Sequence, residues 1–204
     1  MGIIDRKERE KEEMRQRILE AAQRLFLEQG FEKTSIRNIA DAIEYSPGTI
    51  YLYFKDKNDI FFALHQLAFQ ALGGSFQSVM AIEEPFERLI ALGKEYLRYA
   101  FENPEFYDLM FLMNAPIESL DCRNCVWEDG HLLFGMLHSI IAACQEKGHF
   151  EGKSIDDLSM MIWASVHGLA SIHLRKRTLM FAEEERMPRI EKAFGVLTEM
   201  IQKF

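Results

Sequence analysis

Thr34-Ser35-Ile36-Arg37-Asn38-Ile39-Ala40, followed after a short interval by Ser46-Pro47-Gly48-Thr49-Ile50-Tyr51-Leu52-Tyr53-Phe54, carries the punctuation of two short helices joined by a tight turn. Thr34 or Ser35 has the side-chain oxygen that an N-cap needs. Ile36, Ile39, Ala40 and Ile43 then repeat on one face over about two turns. Ser46 suits the next N-cap, and Pro47 suits the first helical position, where its missing N–H costs nothing. In the helix that follows, Ile50, Tyr53 and Phe54 turn inward at i, i+3 and i+4. Pro47, Gly48, Tyr51 and Leu52 are left facing outward, with Thr49 at the edge.

Upstream, Ile18, Leu19, Ala22, Leu25 and Phe26 form one amphipathic stripe, which Gly30 ends in the left-handed position that favours glycine. Residues 5–17, DRKEREKEEMRQR, alternate in sign without apolar periodicity and read as a solvated arm running into that helix. Downstream, Asp56 and Asp59 cap a longer fourth helix whose expected buried face is Ile60, Phe61, Leu64, Leu67, Ala68 and Ala71. Beyond Gly73-Gly74 the pattern predicts five more helices, near 85–101, 104–114, 123–146, 155–175 and 183–203. The expected fold is all-α with about nine helices: a three-helix helix-turn-helix domain over 1–62, then a helical bundle over 63–204.

Composition agrees with that class. The 204 residues include 16 Phe and 11 Met but only 5 Pro and 12 Gly, which suits long helices and adaptable apolar cores. Three cysteines and no signal peptide predict reduced thiols in a cytoplasmic protein. Arg6 stands where a myristoylation signal needs Ser or Thr, so no lipid anchor is implied. Leu158 to Leu174 lacks charge, yet it is short for a membrane span and carries His167, His173 and three serines, so it reads as a bundle helix. The net charge of −8 argues at first against nucleic acid. Between Lys33 and Lys57, however, four bases meet three acids, so the acidity lies elsewhere.

A third helix presented after a tight turn, with a second bracing it, is the arrangement that enters a DNA major groove. Gly48 removes a side chain where backbone would approach the sugar-phosphate rail. Thr49 can donate to a phosphate or pack its methyl on thymine, and Tyr51, Tyr53 and Lys57 offer donors to phosphate oxygens. These residues, with Lys57-Asn58-Asp59-Ile60, resemble the DNA-binding region of the tetracycline-repressor (TetR) family over about residues 15–62. The resemblance implies phosphate contacts for Thr34, Ser35, Thr49, Tyr51, Tyr53 and Lys57, and positions near bases for Tyr45, Pro47, Gly48 and Leu52. Arg37 and Ser46 complete the candidate set. Where the family usually has a small residue and then glycine in the turn, this chain has Ile43-Glu44. A strained or altered turn is expected there, and Glu44 is assigned no contact.

In the C-terminal region Trp163 to Ala170 resembles a Trp…His-Gly segment of one TetR subgroup. Tyr96, Tyr99, Phe106, Met110, Met113, Trp127, His131, Phe134, His138, Trp163 and His167 are candidates to line a site for a small apolar effector, or equally to form core. The last helix carries apolar residues on more than one side, and the resemblance implies a homodimer through the last two helices. The expected partners are an operator in double-stranded DNA, a small apolar effector and a second copy, with no membrane and no cofactor. Cys122-Arg-Asn-Cys125 supplies half a zinc site, with Cys144, His131 and His138 as possible companions, so a thiol- or metal-responsive regulator is the alternative. No nucleophile is paired with a base and no phosphate loop is present, so no enzyme is expected.

Overall fold

A computed structural model of the chain describes residues 3–113 and 128–203, with side chains from Arg6 onward. The described residues are helical, with no strand among them. They fall into two compact units. Residues up to Ala68, together with Glu105 to Met113, form the first, and Phe69 to Pro104 with Glu128 to Lys203 form the second.

In the first unit, α1 (Ile3–Gln29) is a single helix of 27 residues. The arm expected to be merely solvated is helical throughout, for a reason that apolar periodicity does not report. Arg6 pairs with Glu10 at 3.3 Å and Arg9 with Glu13 at 3.8 Å, each one turn apart, and such pairs add about 0.3–0.5 kcal/mol to a helix. Gly30, at φ +88°, closes α1 as expected, its N–H donating to the Phe26 carbonyl at 2.9 Å. Then come α2 (Ile36–Ala42), α3 (Pro47–Ile50) and α4 (Lys57–Ser75).

Ile18, Leu19, Phe26, Ile39, Ile50, Ile60 and Phe61 make the core of this unit, all at most 1% exposed. Phe26, Phe31 and Phe61 pack ring against ring at 4.9–5.4 Å. Along α4 the buried stripe runs Leu64, Ala68, Leu72 at a spacing of four, so Ala71 is exposed and Phe69 and Leu72 are buried in its place.

One piece of the first unit comes from far along the chain. The short α7 (Pro104–Tyr107) widens at once into a π turn, Asp108–Leu112. Leu109 of that turn is fully buried among the residues of α1, α2 and α4, with Phe106 and Met113 packed beside it. A widened turn breaks the regular register of backbone pairing. Here the His65 imidazole, 2% exposed on α4, donates to the Met110 carbonyl.

The second unit holds the short α5 (Gln77–Met80) and α6 (Pro85–Glu102). It continues with α8 (Glu128–Glu146), α9 (Ile155–Leu174) and α10 (Glu183–Ile201). Helices α6, α8 and α9 pack mutually, and α10 packs on α9. Gly93 on α6 is required by that packing, because a Cβ there would stand 2.8 Å from the Phe194 ring of α10. The charge-free stretch of α9 is a bundle helix that buries Leu158, Ile162, Val166 and Ala170. No described helix is long and apolar enough to cross a membrane.

Candidate nucleic-acid interface

Two caps hold α2 and α3 rigid against the core of the first unit. Ser35 Oγ accepts from the Asn38 N–H at 3.1 Å, and the Asn38 side chain accepts from the Ser35 N–H at 2.9 Å, a reciprocal capping box. Ser46 Oγ accepts from the Thr49 N–H at 3.3 Å and lies 3.1 Å from the Thr49 hydroxyl. Pro47 occupies the first turn, as its fixed φ favours. Only Ile50 of α3 is buried. Around it Tyr45, Tyr51 and Leu52 stand in solvent at 40, 57 and 77% exposure, and Gly48 is exposed beside them. A row of large apolar and aromatic side chains held out by a doubly capped helix is a surface built for a partner.

Gly48 sharpens the point. Its φ is not positive, and a Cβ added there would meet nothing nearer than Ser46 Oγ at 3.5 Å, an ordinary contact. The fold itself would accept alanine, so the room that glycine leaves lies on the outer side.

Two of the expected contact residues also serve the fold. Thr34 is 2% exposed, and its hydroxyl donates toward the Gly30 carbonyl at 2.9 Å while accepting from Gln29 Nε2 at 3.2 Å. It ties off the end of α1. Lys57 donates through Nζ to the Phe31 carbonyl at 2.7 Å and lies 4.1 Å from the centre of the Phe31 ring. The side chain is half-buried, and the carbonyl takes one of the three ammonium donors while the ring face lies beside the cation. Ser35 and Arg37 remain exposed on α2, and Tyr53 is half-buried after α3.

The turn between α2 and α3 departs from the usual pattern as expected. Glu44 sits at φ +61°, the left-handed region, and Ile43 before it is buried in the core. The residue that must adopt this backbone is a glutamate, with a Cβ that glycine would lack.

The candidate effector residues divide between the units. Phe106, Met110 and Met113 belong to the first, where Phe106 and Met113 pack on its core and Met110 is buried. In the second, Tyr96 Oη lies 3.0 Å from His167 Nδ1, and the Trp163 ring stands 5.6 Å from His167 and 6.1 Å from Phe134. Burial lowers the His167 pKa, so this imidazole is neutral near pH 7. Tyr99 is buried, and its phenol is pushed up to about 12. His131 is exposed rather than inward, and His138 turns to Asp156, with Nε2 3.0 Å from Oδ1. The residues that α8 buries are Leu137, Ile140, Ile141 and Cys144. Trp127, Cys122 and Cys125 lie outside the described residues. Cys144 is buried and its thiol pushed up to about 11 by desolvation, which leaves it unreactive. Among the described residues no three metal-binding side chains come together.

Residues 18–64 match the family model described as bacterial regulatory proteins, tetR family, and residues 89–189 match the one described as tetracyclin repressor-like, C-terminal domain. The chain belongs to the tetR family. Its N-terminal match is to that family's DNA-binding helix-turn-helix. The HTH-type transcriptional regulator AcrR of Shigella flexneri is 44% identical over 64 residues, covering 31% of this chain and 30% of that protein. The HTH-type transcriptional repressor Rv1474c of Mycobacterium tuberculosis is 32% identical over 101 residues, covering 45% of this chain and 54% of the relative. The matched region thus spans about half or less of these relatives' length. The fatty acid degradation regulator FadR of Bacillus halodurans shares the fold over nearly the whole chain, with a TM-score of 0.72 at 18% identity, covering 90% of this chain and 94% of that one.

Beyond the residues that this tetR-type signature picks out, the structure brings α1 to the same face. The Arg17 guanidinium lies over the Tyr45 ring at 5.5 Å, and Arg15 over Phe54 at 5.2 Å. A cleft beside the end of α3 is lined by Glu8, Lys11, Glu12 and Arg15 together with Leu52 and Tyr53. Sequence reasoning assigned these α1 residues no role. The signal available was their place one to three turns ahead of the stripe that begins at Ile18.

Proposed function

We propose that this chain is a cytoplasmic transcriptional repressor that binds a near-palindromic operator as a homodimer and is switched by a small apolar effector. The observation that carries the reading is the outward face of α3, where Tyr45, Gly48, Tyr51 and Leu52 are held exposed by the Ser46 cap and the buried Ile50. Thr49 and Ser46, with Ser35, Arg37 and Tyr53 at the margins, supply donors to phosphates and base edges, while Pro47 offers an apolar contact near the bases.

Dimerisation through α9 and α10 is supported by the apolar side chains that the single chain leaves in solvent there. Met160, Met161 and Ile172 on α9, and Val196 and Met200 on α10, are each more than 40% exposed. Two copies joined along this face set two α3 helices about one DNA turn (~34 Å) apart. The effector is met by Tyr96, Phe134, Trp163 and His167, a neutral imidazole–phenol pair beside two aromatic rings, which suits an apolar molecule bearing a hydrogen-bonding group. It acts by binding one spacing of the dimer better than the other, to the extent of that differential affinity. The chain acts by binding rather than by catalysis.

The deciding experiment selects duplexes from a random-sequence pool with the purified chain. A two-fold-symmetric consensus bound with strong salt dependence is expected. A gel-shift series without sequence preference refutes the reading.

A further inference from the structure

The first unit presents cations to the exposed face of α3 from a helix that the helix-turn-helix motif does not include. Arg17 is exposed on α1 and has no carboxylate partner among the described residues; its contact is the Tyr45 ring, 5.5 Å away. That ring fixes where the guanidinium stands, at the start of α3 beside the Glu44 turn. On the other flank Lys11 lines the cleft with Leu52 and Tyr53, also without an ion pair among the described residues. Of the acids nearby, Glu12 is answered by Arg15 at 3.9 Å, while Glu8 is the remaining carboxylate lining the cleft. Farther along the arm Glu10 and Glu13 are taken up by Arg6 and Arg9. Between Arg6 and Arg17 six bases stand against four acids, so the alternating pattern hides a positive balance.

We propose that α1 is a second edge of the DNA-binding surface: Arg17 and Lys11 each contact a backbone phosphate, one on either side of the groove that α3 enters. The inference rests on the repressor reading and enlarges its footprint. A guanidinium stacked on an aromatic ring keeps its in-plane N–H donors free for a phosphate. Phosphate contacts position a protein on the duplex without reading sequence, so these residues set affinity and register, not base preference. Lys11 and Arg17 stand six residues apart on α1, about 9 Å along the helix at 1.5 Å per residue, so the two contacts fall on separate phosphates.

The test compares the full chain with Arg17→Gln, Arg17→Lys and Lys11→Gln by titrating a duplex selected by the wild-type chain, and an unrelated duplex, across a salt series. Both sites occur twice in a dimer. Each Gln variant is therefore expected to lower the slope of log affinity against log salt by about 2, and to weaken both duplexes by on the order of tenfold at 0.1 M salt. The preferred sequence stays the same. Arg17→Lys keeps most of the slope. Loss of slope in both Gln variants, with Arg17→Lys near wild type, supports the proposal. A wild-type slope in either overturns it, as does an equal loss in Arg17→Lys and Arg17→Gln, which would mean that the stack only orients Tyr45. A wild-type chain that binds no duplex overturns the repressor reading as well, and is seen before any variant is compared.

Discussion

Replacing Glu44 by glycine separates conformational strain from charge at the turn between α2 and α3. Glu44 is exposed at φ +61°, where an L-residue is less stable than in right-handed conformations by about 1–2 kcal/mol. Glycine adopts this backbone freely but has more freedom to lose on folding, which takes back about 0.4–1 kcal/mol. The net expectation for Glu44→Gly is a gain of about 1 kcal/mol, or about 2–4 °C in Tm for a chain of this length. Glu44→Ala keeps the strained backbone and removes only the carboxylate, so it gains no comparable stability. Both variants bind DNA more tightly at low salt, because both remove an anion from beside the interface, and that gain fades as salt rises. Thermal melts at one fixed protein concentration, paired with gel shifts, read the two effects apart. Equal melting temperatures for the two variants refute the strain argument.

Two further outcomes follow from the first unit. Gly48→Ala is expected to fold with unchanged or slightly raised Tm, since its Cβ has room within the protein, yet to lose at least tenfold in operator affinity. Unchanged gel shifts would mean that the glycine faces no duplex. His65, buried and lowered from 6.5 to about 4 by desolvation, stays neutral in the folded chain while the unfolded chain takes up a proton. Stability contributed by that difference is full above pH 6.5 and is lost as pH falls to about 4, a change of at most about 3 kcal/mol. Denaturant titrations at stepped pH should show this slope in wild type but not in His65→Gln, and identical slopes would dismiss the buried imidazole as its source.

Much of the reader was legible because its determinants are local. Ser46 and Pro47 act within one turn of where they stand, and Gly30 closes α1 by its own backbone preference, so a linear reading reaches them. What a linear reading did not reach depends on partners distant in sequence or on effects without apolar periodicity. Thr34 has a hydroxyl like that of any contact residue, and only the folded end of α1 shows that Gly30 and Gln29 already engage it. Lys57 meets Phe31 across 26 residues, a pairing that spacing cannot reveal. On α4 the choice between Ala71 and Leu72 turned on whether a stripe advances by three or four, which the neighbours decide. In the second unit Tyr96 and His167 meet across 71 residues. Both were chosen by residue type, but so was His131, which the bundle leaves in solvent, because cores and ligand sites draw on the same side chains.

The π turn at Asp108–Leu112 has a consequence for how the protein comes into being. Leu109 completes a core whose other members all precede Ala68. During synthesis, which proceeds from the N-terminus at about 5–20 residues per second, the helix-turn-helix emerges from the ribosome seconds before the side chain that fills its interior. Until then the nascent segment has a gap where Leu109 will sit, and a fragment ending at residue 68 keeps that gap permanently. Competence to read an operator is thus acquired only after translation has moved well into the second unit.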